Sequence, residues 1–195
     1  AVRDKLLFEE FAPDPAELTG FVESDGYVAM EAEHYARAVE GRGVRWLRIP
    51  QLGRTLSAMT PVPVTFPGVS PGGDGPRLEY RMHLFDGGEV TVHAFLSPTL
   101  DYDDTGALRY AVSIDDGTPE VVNVIRDTSL AAWEEAVAHN IRIGTSRHTV
   151  DGPGPHVVKF WAVDPGVVLQ KLVVETGELK PSYLGPSESF YRPAR

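Results

Sequence analysis

The chain has 195 residues, 42% apolar and 24% charged, the proportions of one ordinary globular domain long enough to bury a sizeable core. The 18 basic and 28 acidic side chains leave a formal charge of −10 with no clustered Lys/Arg segment, which argues against a nucleic-acid or anionic-membrane surface. Cysteine is absent, so disulfides and thiolate metal sites are excluded, and no apolar run approaches the length of a membrane span.

The first 20 residues open on an apolar and acidic stretch, LLFEEF, and then meet Pro13 and Pro15, which interrupt a helix after a turn or two. They read as a lead-in or linker, with neither the apolar region nor the cleavage pattern of a signal peptide. Residues 27–35, YVAMEAEHY, read as the first clear strand. Alternation sends Val28, Met30 and Ala32 to one face and Ala29, Glu31 and Glu33 to the other. The two carboxylates stand about 7 Å apart along such a strand. Either they line the wet outer face of an edge strand, or they lean onto one hard cation whose oxygen shell is completed by loop carbonyls or another side chain. Residues 36–76 hold Trp46, Ile49 and Leu52 among many glycines and prolines, a long irregular connection with room for two short strands.

From residue 78 the alternation is clean. Leu78, Tyr80, Met82 and Leu84 alternate with Glu79, Arg81 and His83, and beyond Asp86-Gly87-Gly88 Val90, Val92, Ala94 and Leu96 alternate with Thr91, His93 and Phe95, the pattern of a β-hairpin. A second hairpin is predicted between 108–114 and 120–125 across Asp115-Asp116-Gly117. WEEAVAHNIRI, at 133–143, is ambiguous, able to begin as a helical turn and continue as a strand, and HVVKFWAV and VVLQKLVVE follow after Gly/Pro turns. Eight or more closely spaced strands without a long helix predict an all-β fold, an antiparallel sandwich of the jelly-roll kind.

No GxSxG, HExxH, Walker or dinucleotide pattern occurs, and the histidines at 34, 83, 93, 139, 148 and 156 never fall at a helical zinc spacing. On the first predicted hairpin His83 and His93 share an outer face, either as a cross-strand pair or as solvated polar groups. Asp101, Asp103 and Asp104 form an acidic run around Tyr102, read either as a solvated loop or as a candidate for metal or sugar chemistry. An independent hydrolase using Asp101 and Asp104 would, as an inverting glycosidase, need carboxyls about 6.5 to 9.5 Å apart across a cleft. Trp46 and Trp133, in or beside irregular segments, either anchor loops or present flat rings to a sugar, whereas Trp161 inside a strand reads as packing.

YVAMEAEHY, IPQLGRTLSAMTPVPV, LEYRMHLFDGGEVTVHAFLSPT, LRYAVSIDDGTPEVV, WEEAVAHNIRI, FWAVDPGVVLQKLVV and GELKPSYLGPSES, in this order, resemble the C-terminal β-domain of bacterial α-glucuronidases of glycoside hydrolase family 115. The resemblance implies one domain of a larger, exported enzyme, secreted or periplasmic, that removes glucuronic or 4-O-methylglucuronic acid from xylan with catalytic machinery in preceding domains, so no catalytic residue is expected in this chain. The architecture is also similar to carbohydrate-binding modules of families 6 and 35, whose opening EAE strand helps bind a structural calcium. That likeness implies Glu31 and Glu33 as calcium ligands, joined by Gln170 from the last strand where the modules usually have Asp, and Trp46 and Trp133 as sugar-binding rings.

The sequence therefore predicts a lead-in over 1–20, a sandwich over 21–178 and a tail over 179–195. Tyr183, Leu184, Phe190 and Tyr191 make that tail too apolar to hang free, so it packs on the sandwich or on a neighbouring domain. The expected role is an accessory domain that supports the catalytic domains or an oligomer interface. The alternative is a carbohydrate-binding module that holds glucuronoxylan.

Overall fold

The structure, a computed structural model, describes residues 18–101 and 105–193. The strands are β1 Gly20–Val22, β2 Tyr27–Glu31, β3 Arg37–Val39, β4 Arg45–Ile49, β5 Ala58–Val62, β6 Arg77–Leu84 and β7 Gly88–Leu96. They continue with β8 Arg109–Ile114, β9 Glu120–Asn123, β10 Arg142–Val150, β11 Gly154–Ala162, β12 Leu169–Glu175 and β13 Tyr191–Arg192, with one helix among the described residues, α1 Leu130–His139, between β9 and β10. One sheet runs β13-β1-β6-β11-β8-β9 with β3 also on β6, and the other runs β10-β7-β12-β5-β4 with β2 on β12. The two pack face to face as a β-sandwich. All strand pairs are antiparallel except β1 with β6, which is parallel.

Alternation explains the core. Leu78, Tyr80, Met82 and Leu84 of β6 and Val90, Val92, Ala94 and Leu96 of β7 are all buried in the central cluster, each inward by the two-residue period of a strand. The first predicted hairpin is nevertheless not a hairpin. β6 lies in one sheet and β7 in the other, so the Asp86-Gly87-Gly88 segment is a corner between layers. A Cβ on Gly87 would come within 2.6 Å of the Gly152 Cα, so glycine is required where the two inter-sheet corners touch. The second predicted hairpin does form, with β8 and β9 paired from Arg109↔Asn123 to Val112↔Glu120.

The helix begins at Ser129, whose hydroxyl accepts from the Ala132 amide at 3.2 Å, and ends at Asn140 in the left-handed conformation; both are strong end signals around good helix formers. The outer face of the second sheet is exposed along β10 but covered over β2, β7 and β12. Ala29, Phe95 and Val173 form a buried cluster there, with Tyr27, Ile141 and Leu179 partly covering it. The tail completes the cover. It crosses the free edge of β2, where the Ser189 amide donates to the Ala29 carbonyl at 2.9 Å and the Ser189 hydroxyl accepts from the Ala29 amide at 3.0 Å. It then joins the opposite sheet as β13 beside β1. No helix among the described residues is long and apolar enough to cross a membrane.

Candidate functional site

Two places on the sandwich gather polar chemistry. The first is the carboxylate corner at the end of β2. Glu31 is buried, and its Oε1 accepts from the Thr55 hydroxyl at 2.6 Å and lies 3.1 Å from the Lys171 ammonium. A β-bulge between Leu169 and Lys171 shifts the register of β12, so Lys171, not Gln170, faces Glu31 across the strands. Gln170 turns instead toward the loops: its amide nitrogen donates to Ser97 Oγ at 2.9 Å and to the Asn140 carbonyl at 3.1 Å, and its amide oxygen accepts from the Arg54 amide at 2.9 Å.

Glu33 lies beyond the strand, in a turn. Its Oε2 accepts from Arg48 at 2.7 Å and its Oε1 from the Ser57 amide at 3.2 Å. Burial raises its pKa, but the Ser57 hydrogen bonds and the Arg48 charge outweigh that and hold the carboxyl below its ordinary value. From the tail, Glu188 accepts from the Glu31 amide at 2.9 Å and pairs with His34 at 2.8 Å. Among the described residues no cluster of three or more acidic or histidine side chains is arranged to hold a metal ion. These residues do not fit calcium, because the nearest cation to Glu31 is Lys171 and the oxygens of Glu33 and Gln170 are taken by Arg48, Ser57 and Arg54. A calcium shell asks for six to eight free oxygens.

The second place is a groove of about 680 Å³ between α1, β10 and the tail, lined among others by Arg54, Arg126, Arg142, His139, Asp127 and Tyr183. Arg54 ties its walls together: its guanidinium donates to the carbonyls of His139 and Tyr183 and lies 4.4 Å over the Tyr183 ring, a cation–π contact. Arg142 lies 5.6 Å from the centre of the half-buried Trp133 ring, and its Nε is buried without a hydrogen-bond partner. Asp127 accepts from the Ser129 amide at 2.9 Å, and that hydrogen bond holds its carboxyl below the ordinary aspartate value, the opposite of what a general acid needs.

The two sequence-predicted tryptophans part company. Trp46 is a core residue of β4, its ring 6.2 Å from Phe160 and its Nε1 donating to the Val39 carbonyl at 3.2 Å, so it stands in a strand and not on a loop. Trp133 stands on α1 beside the groove. His83 and His93 fall in different sheets and cannot pair across strands; His93 meets Glu175 at 2.6 Å. Asp101 accepts from the amides of Thr105 and Gly106, and Tyr102, Asp103 and Asp104 lie outside the described residues. Sequence reasoning did not assign Arg54, Arg142, Glu188 or the Glu31–Lys171 pair. The alternation of LQKLVVE does put Lys171 and Val173 on one outward face, a signal that could have found that pair.

Residues 20–188 match the model of the glycosyl hydrolase family 115 C-terminal domain. Among solved structures, the fold is similar to a family 115 4-O-methyl-α-glucuronidase with specificity for decorated arabinogalactans, at 20% identity and a TM-score of 0.60, over 80% of this chain and 18% of that one. It is also similar to a family 35 carbohydrate-binding module from Clostridium thermocellum, at 12% identity and a TM-score of 0.51, over 75% of this chain and 97% of the module. No curated protein matches the sequence. This chain thus spans about a fifth of the length of that glucuronidase. With a family match over most of its length, the chain belongs to the glycosyl hydrolase family 115 C-terminal domains.

Proposed function

We propose that this chain is a non-catalytic accessory domain of a larger, exported family 115 enzyme, and that its α1 and tail end seats against the remainder of that polypeptide. The observation that carries this reading is the set of exposed apolar side chains at that end. Leu52 and Leu56 flank Arg54, Ile143 lines the groove, and Tyr183 and Leu184 stand 64% and 50% exposed in the tail. Apolar surface of this kind gains by being covered. The test is to express this chain and the rest of such a polypeptide separately and mix them. Association that is lost on replacing Tyr183 and Leu184 by Asp is the expected result; wild-type parts that stay apart, or hydrolysis of an aldouronic acid by this chain alone, would sink the reading.

A second reading, a carbohydrate-binding module for glucuronoxylan, is favoured by the groove itself, which is lined by Tyr183 and by polar groups with Trp133 alongside. It expects retardation in affinity electrophoresis on that polymer, abolished by Trp133→Ala. Unretarded wild type would remove it.

A further inference from the structure

Lys171 and Glu31 form the most enclosed ion pair among the described residues, with each side chain only 4% exposed. A charge so far from water needs full compensation where it sits. Glu31 gets it from the ammonium and from the Thr55 hydroxyl. The ammonium has three donors to place, and besides Glu31 Oε1 it reaches the Pro186 carbonyl at 2.8 Å. Carboxylate and carbonyl oxygens around one positive centre are the ligand types a hard metal ion takes. Here the centre is covalently attached to β12, so it is always present at the site at high effective concentration. It joins three pieces of chain: β2 through Glu31, β12 through its own backbone, and the tail through Pro186.

We propose that Lys171 is a tethered cation: its ammonium neutralises Glu31 and clasps the tail at Pro186, so the fold does not depend on a divalent metal. The residues around it agree. Glu33 is engaged by Arg48, Glu188 by His34, and the Gln170 oxygen by the Arg54 amide, so an incoming metal would have to break existing ion pairs and displace an ammonium that cannot leave.

The test measures melting temperature on the full chain, with calcium chloride and with a chelator, for the wild type, Lys171→Met, and the double variant Glu31→Gln/Lys171→Met. Wild type melts at one temperature in both solutions. Lys171→Met, which strands a buried carboxylate, melts on the order of 10 °C lower. The double variant, with no buried charge left unpaired, recovers most of that loss. In parallel, chymotrypsin cuts the tail at Tyr183 faster in Lys171→Met than in wild type. A wild-type melting temperature that rises with calcium or falls with chelator overturns the proposal. So does a double variant no more stable than Lys171→Met, and an unchanged cleavage rate overturns the clasp.

Discussion

Gly144 on β10 shows how little slack the core has. A Cβ there would lie 2.2 Å from the Tyr110 hydroxyl, and Tyr110 is itself stacked on Phe160 with ring centres 5.1 Å apart. Gly144→Ala is therefore expected to cost about 1–3 kcal/mol by forcing that ring aside, measurable as a lower denaturant midpoint. Asp164 is a second tight point. Its carboxylate accepts from the Arg109 backbone amide at 2.8 Å and from both Nε and a terminal nitrogen of the same guanidinium, and this bidentate hydrogen bonding raises the Arg109 pKa. Asp164→Ala leaves the Arg109 amide without that acceptor, and a loss of about 1–3 kcal/mol in denaturant unfolding is expected. His148 sets a pH response. Burial lowers its pKa below 6.5, against a smaller opposing pull from Glu120. In that window the unfolded chain binds the proton more readily, so stability is complete above pH 6.5 and falls as pH drops through the lowered folded value. His148→Gln is expected to flatten the acid side of the stability profile; an unaltered slope would assign the effect to other groups.

At the scale of elements, the helix and the tail are the parts whose anchors are few and nameable. Ser129→Ala removes the hydroxyl that accepts from Ala132 and is expected to cost about 1 kcal/mol, with α1 the first element to gain amide exchange. The bulge in β12 has the largest consequence. By moving the register at Leu169/Lys171 it sets Lys171 opposite Glu31 and frees Gln170 to tie Ser97, Asn140 and Arg54 together. A strand with regular pleating could not send those two neighbours to these separate tasks while keeping Leu169 and Leu172 both in the core.

For the whole molecule, the tail is a strap over one open side of the sandwich. It runs from Tyr183 at the groove, past Gly185 against Phe95, to β13 on the opposite sheet. A chain ending at Glu178 would uncover Phe95 and Val173 and strand the Lys171–Glu31 pair, and a loss of about 3 kcal/mol with new binding of a hydrophobic dye is expected. The sequence by itself determined the all-β class, the inward residues of β6 and β7 and the β8–β9 hairpin, because each rests on a period or a turn signal local to the chain, and it left 133–143 open between a helical turn and a strand. It also carried the family resemblance, since motif order is a property of the chain alone. Only the tertiary structure decided that β6 and β7 belong to opposite layers, that Trp46 is core, and that Lys171 meets Glu31. A glycine turn can join strands within one sheet or across two, and a bulge changes every partner downstream of it, a choice made by the neighbouring strands and not by the strand's own residues.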